Sequence, residues 1–233
     1  MQDSIRVHVA RPYVIINVAS TVDGKIDTHE RRGAAISSER DRERVDRLRA
    51  SVDGVMVGGR TLHEEDPRLT VKSAALRAQR TALGKTEQPA KIGVASHITL
   101  GQDARFLTSG PARVIVFVPR GCGDESLRSR GVEIHECGAG RVDLQEALHK
   151  LVQLGLRRVL VEGGGTLNFE LLRLSLVDEL QLYIAPMVFG GAVAPTLADG
   201  NGLTRELAVR LGAPEVEVWE DGGVVLRYMV KRS

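Results

Sequence analysis

With 233 residues, the chain is long enough for one large domain or two small ones, and its 42% hydrophobic and 27% charged residues are typical of a globular protein. This composition excludes the collagen-like, coiled-coil and intrinsically disordered classes. The formal net charge of +2 at pH 7 is too small for a protein whose main partner is nucleic acid.

The two cysteines, Cys122 and Cys137, stand alone without the spacing of a zinc site, so we predict no metal. Two isolated cysteines are typical of a protein kept in a reducing cytoplasm. The first residues, MQDSIRVHVARP, lack the apolar stretch of a secretion signal. No apolar run approaches the ~20 residues that span a bilayer. We therefore expect a cytoplasmic protein without a membrane partner.

Two nearly continuous apolar runs predict strands that are buried on both faces. They are residues 13–19 and 54–58, and we expect Gly59 to open a turn after the second. Between them, Ser38 and Asp41 form a capping-box pattern that starts a helix. The expected buried stripe of this helix is Val45, Leu48 and Val52.

The seven arginines from Arg31 to Arg49 alternate with acidic residues, which is typical of a solvated helix face. Arg49 is the exception, because it follows Val45 by four residues and shares the inward stripe. A cation on a buried face needs a partner. Both a substrate phosphate and the C-terminal end of the helix could provide one.

The middle of the chain alternates strands with helices. Residues 73–88 show little periodicity and are predicted to be a surface excursion. Strands are predicted at residues 91–95, 113–119, 132–136 and 158–161. A strongly amphipathic helix follows Asp143, and an apolar helix covers residues 167–174.

The C-terminal part changes character, because strands follow one another there without helices. They are predicted at residues 179–188, 216–220 and 224–230, with a glycine turn at residues 221–223. The whole chain, residues 1–233, is therefore expected to form one α/β domain. Its mixed sheet is flanked by helices and has antiparallel C-terminal strands.

Three glycines at the end of a predicted strand provide the clearest sign of a ligand site. Gly163, Gly164 and Gly165 lie between Glu162 and Thr166, where a helix begins. Backbone amides and the helix dipole at such a turn can face an anion without obstruction by Cβ atoms. A phosphate or pyrophosphate site is the functional interpretation, and a plain tight turn is the alternative. The spacing matches neither a Rossmann fingerprint nor a P-loop.

Four segments, TVDGKI, LRASVDGVMVGGRT, EEDPRLTVK and VEGGGTLN, follow one another in this order. Together they resemble the riboflavin-biosynthesis reductase family, most strongly over residues 11–191. This family includes free-standing enzymes and the C-terminal halves of bifunctional deaminase-reductases. With no deaminase half, the chain looks like the free-standing type. The resemblance implies a dihydrofolate-reductase-like fold, NADPH as hydride donor and a homodimer.

The resemblance also implies a reaction on a small molecule. The ribosyl group of 2,5-diamino-6-ribosylamino-4(3H)-pyrimidinone 5′-phosphate would be reduced to a ribityl chain. The deaminated uracil phosphate is an alternative substrate, and reduction of dihydrofolate or a pterin is another alternative. A third class is a non-catalytic nucleotide-binding protein, although the presence of both the glycines and the cations Lys25 and Arg49 argues against it.

Site residues follow from the resemblance position by position. Substrate contacts are implied for Lys25, Arg49, Leu69, Lys72 and Glu162. Cofactor contacts are implied for Thr61, Glu65, Ser96 and Gly163, Gly164, Gly165 and Thr166. No covalent catalytic residue is expected, and Lys25 and Glu162 would position the substrate.

Three of these positions depart from the family pattern. Glu65 stands where the family has Asp, and Ala95 precedes Ser96 where Asp often does. Lys72 replaces an Arg, and a lysine offers charge to a phosphate without the fork of a guanidinium.

Overall fold

A computed structural model describes residues 10–231. Most of the N-terminal stretch that was predicted not to be a secretion signal lies outside this range. The strands are β1 (Tyr13–Thr21), β2 (Gly54–Gly58), β3 (Ala90–Val94), β4 (Val114–Val118), β5 (Glu133–Glu136), β6 (Arg158–Val161), β7 (Glu179–Ala185), β8 (Glu215–Val218) and β9 (Val224–Met229). The helices are α1 (Glu39–Ser51), α2 (Gly59–Glu65), α3 (Ala74–Ala82), α4 (Arg105–Thr108), α5 (Glu125–Arg128), α6 (Leu144–Gln153) and α7 (Gly165–Arg173).

The nine strands form one mixed sheet in the order β5-β4-β3-β2-β6-β1-β7-β9-β8. Strand β1 pairs in parallel with both β6 and β7, so that Ile15 lies beside Leu160 on one side and Glu179 on the other. Strand β9 runs antiparallel to β7 and to β8. The predicted mixed sheet with antiparallel pairing at its C-terminal end is therefore confirmed.

Apolar side chains cover both faces of the parallel part of the sheet. One layer packs α6 and α7 against strand residues such as Ile16 and Ile92. The other joins Leu62 of α2 and Phe106 of α4 to strand residues such as Ile15. Since helices cover both faces of the sheet, a ligand can reach it at the carboxyl ends of the strands.

Helix α1 begins as predicted, since the hydroxyl of Ser38 accepts a hydrogen bond from the amide of Asp41. Its predicted apolar stripe is confirmed in part, since Val52 at the C-cap is fully buried and Leu48 packs against the same apolar layer. The buried residues within α1 itself are the polar Asp41, Arg44 and Asp46, which were not predicted. Arg44 donates to Asp41 and, at 2.8 Å each, to the side-chain oxygens of Asn17 on β1 and Gln181 on β7. Helix α1 therefore packs polar side chains against polar strand residues. Hydrogen bonds compensate for the loss of water around these buried groups. Arg44 is thus a second exception among the arginines predicted to be solvated.

One further prediction is wrong and another is incomplete. Gly59 opens α2 and not a turn, since Gly58 already has the extended conformation of a helix N-cap. The predicted surface excursion is mostly exposed, but it contains α3, which the Ser73 hydroxyl caps by accepting from the amide of Leu76. The one buried residue of α3 is Arg80, so apolar periodicity could not reveal the helix.

Candidate active site

A cavity of about 860 Å³ lies at the carboxyl ends of the central strands. Its wall includes Gly58 at the end of β2, Gly59 directly after it, Ser96 after β3, and Gly164 after β6. A volume of this order is suitable for a cofactor-sized ligand. This is the sheet edge at which open α/β folds bind ligands.

The glycines build the part of the wall where two helices begin. The amide of Gly58 donates to the carbonyl oxygen of Gly163 at 2.8 Å, so the N-termini of α2 and α7 lie side by side. Gly163 has a φ of +107°, which favours glycine. Gly164 is the N-cap of α7 and provides no side chain to cap its first amides. A Cβ atom at Gly165 would lie 2.5 Å from the carbonyl oxygen of Thr196.

This arrangement fits the phosphates of a dinucleotide. Amides at the start of α7 remain unpaired by any capping side chain, and the helix dipole favours an anion there. The cavity wall includes most of the predicted cofactor residues, namely Thr61, Glu65, Ser96, Gly164, Gly165 and Thr166. Gly163 is not on the wall, and it contributes through the bond that its carbonyl accepts from Gly58.

Glu65 brings a carboxyl group into the cavity. Burial raises its pKa, and the neighbouring carboxylates of Asp27, Glu64 and Glu162 raise it further. A hydrogen bond with the Thr61 hydroxyl acts in the opposite direction. Two predicted cofactor residues therefore contact each other, and the electrostatic influence of Glu162 places the predicted substrate region nearby.

Arg49 and Glu162 form a two-pronged ion pair. Arg49 Nε donates to Glu162 Oε1 at 2.7 Å, and Nη2 donates to Oε2 at 2.6 Å. Burial alone would lower the pKa of Arg49, but the charge and hydrogen bonds of Glu162 outweigh it and raise the pKa. The largely buried cation thus has a carboxylate of the protein as a partner. This partner is a third one, besides the substrate phosphate and the helix end considered from the sequence.

The segment after α2 is fixed against α1 through its backbone. The carboxylate of Asp46 accepts from the amides of Lys72 and Ser73 at 2.7 and 2.8 Å. Arg49 Nη1 donates to the carbonyl oxygen of Thr70 at 3.1 Å. Buried Gln88 accepts from the amide of Val71 and donates to its carbonyl oxygen. The backbone next to Leu69 and at Lys72 is therefore anchored to α1 and to Gln88.

Replacing Asp46 by Ala should lower the free energy of unfolding by about 1–3 kcal/mol, because two amides lose their acceptor at a buried site. Urea unfolding of the variant would measure this loss. Glu43→Ala is the matched control on the same helix, since Glu43 is 64% exposed and its 3.7 Å pair with Arg47 is a surface pair worth little. Equal effects of the two substitutions would show that Asp46 does not anchor the segment.

The remaining predicted substrate residues differ in how they are placed. The side chain of Leu69 is buried in the apolar layer on the α2 face, so its backbone is what remains for a ligand. The side chain of Lys72 is exposed. Lys25 pairs its backbone with Thr196, and its Nζ donates to the carbonyl oxygen of Ala194 at 3.4 Å. Lys25 is thus tied to the segment that also provides Pro195 to the cavity wall.

Sequence reasoning missed Asp46, Gln88 and Arg80, which position the predicted site. Arg80 donates to the carbonyl oxygens of Ala50 and Val52 at the end of α1, next to Arg49. One signal could have revealed Asp46, because it precedes Arg49 by three residues and shares its helix face. Gln88 and Arg80 lie in the stretch predicted to be a surface excursion, where no pattern indicates burial.

Residues 12–225 match the family model described as RibD C-terminal domain. The 2,5-diamino-6-ribosylamino-4(3H)-pyrimidinone 5′-phosphate reductase of Archaeoglobus fulgidus is 42% identical over 201 residues, which cover 85% of this chain and 91% of that protein. The reductase of the same name from Methanothermobacter thermautotrophicus is 39% identical over 205 residues, covering 86% of this chain and 90% of that protein.

Among solved structures, RibD of Acinetobacter baumannii is similar with a TM-score of 0.79 and 26% identity, covering 95% of this chain and 58% of that chain. The dihydrofolate-reductase-like fold implied by the sequence motifs is thereby confirmed. Within residues 10–231, no helix is long and apolar enough to cross a membrane. The same range contains no cluster of three or more His, Cys, Asp or Glu that could hold a metal ion.

Proposed function

The chain belongs to the RibD C-terminal domain family, and on this premise we propose that it is a pyrimidine-ribosyl reductase that uses NADPH. Its substrate would be 2,5-diamino-6-ribosylamino-4(3H)-pyrimidinone 5′-phosphate, and its product the ribityl compound. The observation that carries the proposal is the similarity, over most of both chains, to two archaeal reductases of this name.

The site supports this assignment because it combines an anion cradle with a separate charged pair. The cradle at Gly164, Gly165 and Thr166 would hold the pyrophosphate of the cofactor. Thr61, Glu65 and Ser96 line the same cavity and would contact the rest of the dinucleotide. Arg49, Glu162 and the fixed segment containing Leu69 and Lys72 would hold the pyrimidine ribosylamine.

In the proposed reaction, the main role of these residues is to position the pyrimidine ribosylamine and the cofactor. The ring-opened ribosylamine is an imine at C1′, and NADPH, when bound, supplies the hydride that reduces it. The Arg49–Glu162 pair would orient the sugar or base, and Lys25 with Lys72 would place positive charge near the 5′-phosphate. Since no covalent intermediate is required, correct orientation accounts for most of the rate enhancement.

The direct test follows NADPH oxidation with three candidate substrates in parallel. The expected result is turnover with the diaminopyrimidinone phosphate and much slower turnover with its deaminated uracil counterpart. Dihydrofolate should give no turnover. Turnover with dihydrofolate alone would reject the proposed reaction, and preference for the uracil would reject the proposed substrate.

Both cysteines are free, with Cys122 exposed and Cys137 buried. Free thiols fit a reducing compartment, so we place the enzyme in the cytoplasm.

We also propose a homodimer, from an apolar patch at the β8 edge of the sheet. Exposed Val216 and Val218 continue two cross-strand rows that contain Leu226 and Leu182, and Val224 and Ile184. Val218 is 76% exposed and Val216 is 54% exposed. Exposed apolar side chains on an edge strand are commonly buried against another chain. A second copy of this chain, related by a twofold axis, would bury the patches of both copies at once.

Val218→Asp should convert the dimer to a monomer, because it places a charge at the most exposed valine of this patch. Sedimentation at micromolar concentration is expected to give twice the chain mass of 25.3 kDa for the unmodified protein and a single chain mass for the variant. Glu215→Ala, on the opposite face of the same strand, should remain dimeric. A monomeric unmodified protein would contradict the proposal.

A further inference from the structure

A second cavity, of about 320 Å³, lies at the outer edge of the sheet. It is formed by the end of the edge strand β5 and by a polar stripe of α6 whose residues are three or four positions apart. We call it the β5 cavity, and the proposed reaction does not use it. Its wall residues are His135, Glu136, Cys137, Glu146, His149, Lys150 and Gln153.

The two carboxylates on this wall already have partners. Both oxygens of Glu146 accept from Arg120 Nη2 at 2.9 Å, and Oε2 also accepts from the amide of Gly138 at 3.0 Å. Glu136 Oε2 accepts from the amide of Gly121 at 2.8 Å. Their negative charge is therefore largely balanced by the protein itself, and they do not need a bound cation.

Two further wall residues are neutral. His149 Nδ1 donates to the carbonyl oxygen of Ala10 at 3.2 Å, and its Nε2 accepts from the side-chain amide of Gln153 at 3.0 Å, as in an uncharged ring. Burial raises the pKa of the Cys137 thiol to about 11, so this thiol is protonated near neutral pH. Neither residue brings a charge to the β5 cavity.

The remaining two wall residues, His135 and Lys150, lack partners. Within residues 10–231, the ammonium of Lys150 makes no ion pair or hydrogen bond, and Nε2 of His135 is buried without a hydrogen-bond partner. Glu133 Oε2 lies 4.0 Å from this nitrogen, which is too far for a hydrogen bond, and it already accepts from Arg113. A buried polar atom without a partner is uncommon in folded proteins.

The surroundings of His135 are positively charged. Burial is the main cause that lowers the pKa of this ring, and Lys150 of α6, Arg113 before β4 and Arg128 of α5 lower it further. Glu133 on the same strand acts in the opposite direction. Cations thus outnumber carboxylates around a neutral imidazole, so an anion in the β5 cavity would favour the protonated ring.

We propose that the β5 cavity binds a small tetrahedral oxyanion, of the size and charge of sulfate or phosphate, between Lys150 and His135. Lys150 provides a fixed positive charge, and His135 takes up a proton from solvent as the ion binds. Since Nε2 is buried, Nδ1 is the nitrogen that donates to the anion. The proton on Nε2 then points toward Glu133, which gives the buried nitrogen a charged partner. The cavity is large enough for the ion and several waters.

Sulfate is the probe of choice, because it remains a dianion between about pH 5.5 and 8, whereas a phosphate group titrates in this range. NMR follows the imidazole cross-peaks during the titration, at constant ionic strength maintained with chloride. The cross-peak that is lost in His135→Gln identifies the ring. Sulfate should raise the pKa of His135 and bind about fivefold or more tightly at the acidic end of the range. Cofactor and substrate are left out, so the result is independent of the proposed function.

Lys150→Gln should weaken sulfate binding at His135 by about 10-fold, through loss of a charge-assisted contact. Without sulfate it should raise the pKa of His135, because a neighbouring cation is removed. Arg47→Gln is the matched control, since it removes one positive charge from the exposed face of α1, and it should change sulfate binding by less than about twofold.

Unchanged cross-peaks of the other histidines show that each variant is folded. The proposal is overturned if sulfate does not shift the His135 cross-peak, if chloride alone shifts it equally, or if the affinity is the same across the pH range. Equal losses in Lys150→Gln and Arg47→Gln would overturn it as well, because the effect would then reflect net charge and not a site.

Discussion

Glu162→Gln should lower kcat/KM for the pyrimidine phosphate by about 10- to 150-fold, the equivalent of ~1.5–3 kcal/mol for a charge-assisted contact. The neutral amide can accept only one of the two bonds that Arg49 donates at 2.6 and 2.7 Å. The guanidinium then loses the counter-charge that fixes it beside Thr70. We expect the displaced guanidinium to weaken the binding and turnover of the pyrimidine phosphate. The dissociation constant of NADPH should change by less than about threefold.

A second ion pair provides a matched control for Glu162→Gln. Arg113, just before β4, and Glu133 on β5 form the same two-pronged geometry, with bonds of 2.5 and 2.7 Å, and neither residue lines the cavity. Glu133→Gln should leave kcat/KM unchanged within about twofold. If Glu162→Gln instead weakens NADPH binding and leaves substrate kinetics normal, the two ligands have been assigned to the wrong parts of the site.

A double-mutant cycle shows whether Arg49 and Glu162 act as one unit. Arg49→Met alone leaves a largely buried carboxylate without its partner, and Glu162→Gln alone leaves a largely buried cation without its partner. The double variant removes both charges, so its loss in kcat/KM should be smaller than the product of the single losses. Strict additivity would indicate that each side chain contacts substrate independently of the other.

Strands were the part of the fold that sequence could predict. Buried parallel strands such as β2 and β4 are continuous apolar runs, since helices cover both of their faces. Their order in the sheet could not be derived in this way. Strand β6 lies between β1 and β2, and this depends on contacts between residues more than 100 positions apart.

Buried charge explains what sequence could not predict. Arg44 and Arg80 are 6% and 2% exposed, and Lys91 is fully buried in β3. Lys91 Nζ donates to the carbonyl oxygens of Phe106 and Ser109, and Arg80 donates to the end of α1. A hydropathy pattern places such residues at the surface, because it does not include the distant carbonyl groups that accept their hydrogen bonds. Helix α3 was missed for this reason, and so were the buried polar residues of α1.

The candidate site could be predicted only where its residues carry a local signal. Glycines at a strand end and an inward-facing arginine carry local signals, and both were identified from sequence. The pairing of Arg49 with Glu162 could not be predicted, since 113 residues separate them. Glu162 was expected to face a ligand, and the structure shows that its oxygens also bind a neighbouring side chain.

Gly164→Val should abolish detectable NADPH binding, a loss of 100-fold or more, and leave the protein folded. A Cβ atom at Gly164 meets only the Thr61 hydroxyl, at 3.2 Å, so the fold can accept it with a small shift. The same side chain would stand at the N-terminus of α7, where a phosphate must approach the amides.

Gly165→Ala provides the contrast, because its Cβ would lie 2.5 Å from the Thr196 carbonyl oxygen and 2.8 Å from Asp199 Oδ2. That substitution should destabilise the fold by roughly 1–3 kcal/mol through overcrowding. Thermal unfolding and NADPH titration of both variants separate the two effects. Normal NADPH affinity in a folded Gly164→Val protein would mean that the glycines form a tight turn and not a phosphate cradle.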